Sequence, residues 1–145
     1  MTTHGKTISR RFFEEVLSLG DLELVEEIFT ADYNAHTPIG VFEGMEGAKQ
    51  FVRVLREAFP NLDVKVEVQV LEGDKIANLW RARGTHQGDF GGIPATGRDM
   101  ETCGITMFRV AGDKVIESWG FADMMSMLKQ LGAVPTPVEY MEETQ

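Results

Sequence analysis

The sequence has very little cysteine and few basic residues. Its one cysteine among 145 residues, Cys103, excludes an internal disulfide bond, and this usage is typical of a reducing compartment. Lysine and arginine together number 14 against 23 aspartates and glutamates, which gives a net charge of −9. Because polyanionic partners require clustered basic side chains, we expect neither nucleic acid nor a membrane surface to be the partner.

Long apolar runs are also missing. No stretch reaches the ~18 apolar residues that a membrane-spanning helix needs, and residues 1–10 lack the apolar centre of a secretory signal peptide. Cysteine and histidine do not occur at zinc-finger spacing, so no metal site is predicted. The sequence therefore predicts a cytosolic protein of one domain. A chain of this length buries roughly two-thirds of its unfolded surface, which is enough for a core and a pocket.

Hydrophobic periodicity indicates a helical first part. Apolar residues recur at helical spacing in three segments: 8–19, 22–29 and 45–59. Gly20 is predicted to end the first helix, Asp21 to cap the second and Pro60 to end the third. The stretch 33–44 is rich in turn-forming residues and is predicted to be a connector.

The apolar period then becomes that of β-strands. Valines alternate with polar residues from Val64 to Val70, which predicts a strand with one buried face. A second strand follows Gly73, a third spans about 100–110, and a fourth ends at Asp123, directly before a closing helix. Helices followed by antiparallel strands predict an α+β fold, with one domain over 1–132 and an acidic tail over 133–145.

Two of these strands carry aromatic and polar groups at alternate positions. The second strand presents three on one face: Asn78, Trp80 and His86. The fourth presents four on one face: Glu117, Trp119, Phe121 and Asp123. An ordinary core would use Val, Ile and Leu there, since burying unpaired ionisable groups costs several kcal/mol. We therefore expect a ligand cavity in preference to a core that merely carries polar groups.

The spacing leaves two interpretations of Asp123 open. Beside apolar rings a carboxylate is costly to ionise, which suits a general acid or base. Directly before a helix, Asp123 is equally well placed to act as an N-cap residue. His86 borders the glycine-rich segment 87–97, which we expect to be a lid or rim, and it either bonds that loop or belongs to the site.

The C-terminal half resembles the SnoaL-like polyketide cyclases, also called ester cyclases. The resemblance depends on four segments: 84–97, 108–109, 113–119, and Asp123 with 128–132. It extends over about residues 6–132 and implies the cone-shaped α+β barrel of the nuclear-transport-factor-like superfamily. In that fold, N-terminal helices pack on a curved, mostly antiparallel sheet that encloses a cavity.

The resemblance also implies an activity. In characterised family members an aspartate at the position of Asp123 is the general acid/base of a cofactor-free intramolecular aldol condensation. His86 matches a family histidine, whereas Thr106 stands where some cyclases have a second one. We expect proton transfer on a small hydrophobic carbonyl compound, without cofactor or metal, with six substrate-binding residues: Trp80, Trp119, Phe121, Asn78, His36 and Tyr33.

Two alternatives to catalysis by this route remain. One is a binding protein that holds an apolar metabolite in the same cavity without turnover, and the other is an isomerase or hydratase of the same fold. The opposite face of the sheet, with Leu79, Cys103, Ile105 and Met107, is more apolar than a solvated face should be. We therefore expect a homodimer or a higher homo-oligomer.

Overall fold

A computed structural model describes residues 2–133, except for the side chains of residues 2–5. The described residues form four α-helices: α1 (Thr2–Arg11), α2 (Leu24–Ile28), α3 (Gly44–Ala58) and α4 (Met124–Gln130). They also form six strands: β1 (Phe29–Thr37), β2 (Gly40–Glu43), β3 (Asp63–Glu72), β4 (Lys75–Thr85), β5 (Asp99–Ala111) and β6 (Lys114–Ala122). From residue 134 onward, the predicted acidic tail lies outside the described residues. None of the helices described is long and apolar enough to span a bilayer.

The strands form one sheet in the order β2-β1-β6-β5-β4-β3. All neighbouring strands are antiparallel except β1 and β6, which pair in parallel. The predicted α+β fold with a mostly antiparallel sheet is confirmed. The sheet is not closed into a barrel, because β2 and β3 remain its edges.

The prediction of a connector over residues 33–44 is wrong. Most of this stretch forms β1 and β2, a hairpin paired from Asn34 with Glu43 to Thr37 with Gly40. Only the turn between these strands keeps the predicted character. Phe29, expected at the end of the second helix, is the first residue of β1. Pairing of β1 with both β2 and β6 outweighs the local turn propensity.

The first helix is longer and less regular than α1 alone. It continues through a π-helical turn over Phe12–Leu17, which places four side chains in the core: Phe12, Phe13, Val16 and Leu17. Gly20 has a φ of +75° and its N–H donates to the Val16 carbonyl at 2.9 Å, which confirms the predicted end. Asp21 does not cap α2, whose N-cap residue is Glu23.

The helix α3 and the strands β3 to β6 form where the sequence predicted a third helix and four strands, with one exception in β3. Its register shifts between Val66 and Val68, and this bulge turns the later residues over. Val64 and Val66 are buried, whereas Val68 and Val70 are 49% and 61% exposed. The prediction of one buried valine face along the whole strand is therefore wrong.

The helices cover the concave face of the sheet and leave its outer face open. On that outer face Leu79 pairs with Ile105, and Ile105 pairs with Phe121, so three apolar side chains lie side by side across β4, β5 and β6. Ile105 is 51% exposed and Phe121 is 74% exposed. This arrangement supports the expectation of self-association, since contiguous apolar patches mark interaction surfaces.

We expect the chain to sediment as a dimer or larger species at micromolar concentration. Ile105→Glu should shift the protein to monomer, because it would bury an unpaired charge in the contact. Leu19→Glu is the matched control, since Leu19 is 71% exposed and lies beyond the end of the π-helical turn, away from the sheet face. A wild-type protein that sediments only as monomer would contradict this expectation.

Candidate active site

A cavity of about 110 Å³ lies between the concave face of the sheet and the helices. Its wall is mainly apolar and comes from all parts of the fold: Phe12, Phe13, Phe51, Leu55, Phe59, Trp80, Ala82, Phe90, Met100, Phe108, Met124 and Met127. Phe12 and Phe13 both reach it because the π-helical turn brings adjacent residues onto the buried side. The structure thus has a mostly apolar pocket between the sheet and the helices.

Four polar side chains on the cavity wall form two hydrogen-bonded pairs. The Tyr33 and Ser118 hydroxyl oxygens are 2.5 Å apart, and both residues are buried. The Trp80 indole N–H donates to Thr106 Oγ1 at 2.9 Å. Burial raises the pKa of the Tyr33 phenol well above its usual 10.0, and the bond with Ser118 offsets only part of this shift. Tyr33 therefore keeps its hydrogen throughout the neutral range.

Two glycines shape the space around these pairs. A side chain at Gly104 would collide with the Trp80 ring, so the glycine allows the indole to lie against β5. A Cβ at Gly120 would lie 3.2 Å from Thr106 Oγ1, closer than an ordinary contact. The absence of a side chain at Gly120 therefore keeps the space beside the Thr106 hydroxyl open.

The predicted cavity face of β6 is wrong. Ser118, Gly120 and Ala122 line the cavity. Trp119 and Phe121, predicted as substrate-binding residues, lie on the outer face, where Phe121 is 74% exposed. The physical reason is space, because the concave side is already occupied by phenylalanines from the helices and the sheet, and only small side chains fit on β6.

His36 and Glu117 meet on the outer face of the sheet. His36 Nε2 lies 2.9 Å from Glu117 Oε2, and the His36 ring stacks on Trp119 with ring centres 5.7 Å apart. Arg109 donates to the other carboxylate oxygen at 2.9 Å. Hydrogen bonds with Arg109 and then His36 lower the pKa of the Glu117 carboxyl below its usual 4.5. His36 is part of the cavity wall, as predicted, but its imidazole is held in this outer cluster.

Asp123 directly follows β6 and caps α4, and it is not among the residues that line the cavity. Its Oδ1 accepts the Ser126 backbone N–H at 3.1 Å, the geometry of an N-cap. The side chain is exposed, and both neighbours, Ala122 and Met124, line the cavity. The structure therefore shows the predicted N-cap interaction of Asp123, and its catalytic role stays a prediction.

His86 and Asn78, the remaining predicted site residues, are fully buried and lie outside the cavity lining. His86 Nδ1 accepts the Thr96 backbone N–H at 3.2 Å, so the ring hydrogen is on Nε2, which has no partner among the described residues. Its ring lies 5.5 Å from that of Phe59, a cavity residue. Asn78 accepts from Gln69 and donates to the Thr106 carbonyl, which ties β3, β4 and β5 together.

The glycine-rich segment 87–97 forms one rim of the cavity. The backbone N–H groups of Gln87 and Gly88 both donate to the Ala58 carbonyl at the end of α3. Phe90 is 4% exposed and lines the cavity. Within residues 2–133, no three His, Cys, Asp or Glu side chains gather in a way that could hold a metal ion.

The sequence and the fold have clear relatives. The family model for SnoaL-like polyketide cyclase matches residues 7–131. The chain belongs to this family. The SnoaL-like structure from Jannaschia sp. CCS1, itself a candidate polyketide cyclase, is 30% identical, with a TM-score of 0.83 over 92% of this chain and 94% of that one. The candidate polyketide cyclase IdmH from Streptomyces antibioticus is 32% identical, with a TM-score of 0.75 over 89% and 98%.

More distant structures share only the fold. A Catenulispora acidiphila protein with a ketosteroid isomerase-like fold, in complex with trimethylamine, is 18% identical, with a TM-score of 0.72 over 92% of this chain and 97% of that one. No curated protein matches the chain. Membership of the SnoaL-like polyketide cyclase family supports a role of the cyclase type.

Several cavity residues of this SnoaL-like chain were missed from the sequence. Phe12, Phe13 and Thr102 were not predicted to line the site, because the packing of helices on strands decides which residues reach it. Ser118 and Gly120 did carry a signal. They alternate with Trp119 and Phe121, and a strand that faces a cavity needs small residues on one side.

The two tryptophans should report differently on ligand binding. A flat hydrophobic ligand in the cavity should quench Trp80 and leave Trp119, on the outer face, almost unchanged. Trp119→Phe should therefore retain most of the quenching, and Trp80→Phe should remove most of it. The measurement is a fluorescence titration of both variants, and the reverse pattern would place the binding site on the outer face.

Proposed function

We propose that this SnoaL-like chain is a cofactor-independent enzyme that moves a proton on a hydrophobic carbonyl compound, in an intramolecular aldol condensation or a related reaction. The observation that carries the proposal is the cavity itself, which is mostly apolar and contains a few hydroxyl and indole groups, in a chain of the polyketide cyclase family. An apolar pocket with a few placed polar groups is typical of small-molecule sites.

Asp123 is the proposed general acid/base. One carboxylate oxygen is fixed by the Ser126 N–H, and no described residue bonds the other. Capping and catalysis are therefore compatible, since the cap orients the carboxylate while Oδ2 stays free to accept a proton. A substrate seated against Ala122 and Met124 would bring its reacting carbon to the edge of the cavity next to Asp123 and would exclude water from the carboxylate.

His86 is the proposed second catalytic group. Its buried Nε2–H has no partner among the described residues, and such a group costs free energy until an acceptor reaches it. Phe59 lines the cavity and its ring centre lies 5.5 Å from that of His86, so a substrate oxygen would reach Nε2 only if the Phe59 ring moved aside. Two substrate oxygens are expected in any case, because an intramolecular aldol condensation joins two carbonyl-bearing parts of one molecule.

The size of the cavity limits the part of the substrate that is buried. At about 110 Å³, it is below the roughly 300–1,000 Å³ of pockets that enclose drug-sized ligands. We therefore propose that one or two fused rings enter the cavity and that the rest of the substrate lies at the mouth, near Pro38 and Ile39.

A binding protein without turnover is the second candidate. It is favoured by one observation, that the Asp123 carboxylate is exposed and already caps α4. In that case the cavity would hold an apolar metabolite, and Asp123 would only stabilise the N-terminus of α4.

Asp123→Asn separates the two candidates. Asparagine caps helices about as well as aspartate, so we expect the free energy of unfolding to change little. An amide cannot accept the proton at neutral pH. If Asp123 is the general base, the asparagine variant should therefore exchange the hydrogens about 10²–10⁴-fold more slowly. The measurement is exchange of the α-hydrogens of small aromatic ketones, such as 1-indanone, for deuterium, followed by NMR.

The controls for this test are two further variants. Asp113→Asn makes the same change in the β5–β6 turn and should leave the rate unchanged. Asp123→Ala should lose the cap and about 0.5–2 kcal/mol of stability. If Asp123→Asn has the full wild-type rate, the carboxylate is only a helix cap and another group is the base. If the wild type itself exchanges the hydrogens no faster than buffer does, the binding candidate is favoured.

A further inference from the structure

The cavity wall formed by β5 and β6 carries more hydroxyl hydrogens than the protein uses. In the Trp80–Thr106 pair the indole donates, so the hydroxyl hydrogen of Thr106 is not needed for that bond. In the Tyr33–Ser118 pair one hydroxyl donates to the other, and one hydrogen remains. No acceptor for either remaining hydrogen is found among the described residues.

The second unused hydrogen belongs to the Tyr33–Ser118 pair. Either oxygen can be the donor in this pair; when the phenol, which is ordinarily the stronger acid, donates to Ser118 Oγ, the hydrogen that remains is that of Ser118. The Tyr33 ring is held in place against Phe29, with ring centres 4.1 Å apart. Tyr33 remains protonated because burial raises its pKa. With Tyr33 as the donor of its pair, the two unused hydroxyl hydrogens are those of Ser118 on β6 and Thr106 on β5.

The register of β5 and β6 brings these two hydroxyls close to each other. Ser118 lies opposite Phe108, and Thr106 lies opposite Gly120, so Ser118 and Thr106 are diagonal neighbours on the concave face. Diagonal neighbours lie roughly 7–8 Å apart, with the side chains somewhat closer. Two hydrogen bonds of about 2.8 Å to one oxygen atom span at most about 5.6 Å, so both hydroxyls have to turn toward the shared oxygen.

The backbone at Gly120 leaves room near the Thr106 hydroxyl. A side chain there would begin 3.2 Å from Thr106 Oγ1, so the glycine leaves the space beside that hydroxyl open to a ligand atom. Apolar residues such as Phe108 and Phe13 surround this space. Hydrogen bonds to an oxygen held there would be strong, because the site is largely shielded from water.

We propose that the Ser118 and Thr106 hydroxyls form a binding site for one carbonyl oxygen of the ligand, with Tyr33 and Trp80 as the positioning residues behind them. This inference rests on the proposed function and extends it, since it names the groups that receive a substrate oxygen. Both donors would also stabilise the negative charge that develops on that oxygen when a proton leaves the neighbouring carbon.

A matched pair of probes tests this site. 1-Indanone and indane have nearly the same shape, and only 1-indanone has a carbonyl oxygen. The wild-type protein should bind 1-indanone more tightly than indane in calorimetric titrations. Thr106→Val and Ser118→Ala should each weaken 1-indanone binding by about three- to tenfold, with less than a twofold effect on indane.

Two further variants control for structural effects. Thr106→Ser keeps the hydroxyl and should restore wild-type preference for 1-indanone. Thr85→Val makes the same change as Thr106→Val on the neighbouring strand β4, outside the cavity lining, where the Thr85 hydroxyl donates to Asp99 Oδ1 at 2.7 Å. It should not alter the preference. The infrared carbonyl band of bound 1-indanone should lie at lower frequency in wild type than in the Thr106→Val/Ser118→Ala double variant.

The possible outcomes separate this inference from the proposed function. Equal affinity for the two probes, an unchanged carbonyl band in the double variant, or no binding of 1-indanone up to its solubility would overturn the oxygen site. None of these measurements depends on turnover. A confirmed oxygen site in a protein without exchange activity would instead favour the binding candidate.

Discussion

The parallel pairing of β1 with β6 is the constraint on which the site depends. It places Ala35 beside Ser118 and His36 beside Trp119, and it therefore decides which side chains of both strands face the helices. Tyr33 and Ser118 meet inside the cavity, whereas His36 and Glu117 meet outside it. A shift of one residue in this register would exchange the two faces of β6 and remove the hydroxyl pair from the cavity.

Elements with strong local patterns could be predicted from the sequence. The helix α3, the strands β3 to β6 and the end of the first helix at Gly20 follow from periodicity and turn chemistry. β1 could not be predicted, because it is stabilised by partners on both sides that are distant in sequence, and its own residues favour turns. Local propensity is a weak guide where tertiary pairing supplies most of the stabilisation.

The cavity face of β6 shows why the site was only partly predictable. Residues 117–122 alternate between large and small side chains, and both alternations are possible strand faces. The choice between them depends on how much space the helices leave, and that space is filled by Phe12 and Phe13 from a π-helical turn. Trp80 and Tyr33 both line the cavity; the periodicity of β4 indicated the face of Trp80, whereas the strand that carries Tyr33 was not predicted.

Asp123 joins the fold to the proposed chemistry. It ends β6, begins α4 and borders the cavity through both neighbours. Its Oδ1 accepts the Ser126 N–H of α4, and the catalytic role proposed for Asp123 would use the other carboxylate oxygen. In the proposed oxygen site, the hydroxyls of Thr106 on β5 and Ser118 on β6 would donate hydrogen bonds to an oxygen in an apolar space. A carboxylate has no hydrogen to donate in this way.

The most direct test of the central claim, that ligands bind between the concave face of the sheet and the helices, is an NMR spectrum of the methionine methyl groups with and without 1-indanone. Met100, Met124 and Met127 line the cavity, whereas Met107 lies on the outer face and Met125 is 57% exposed. Addition of 1-indanone should shift the methyl signals of the first three and leave those of Met107 and Met125 in place. Shifts confined to Met107 and Met125 would contradict the claim.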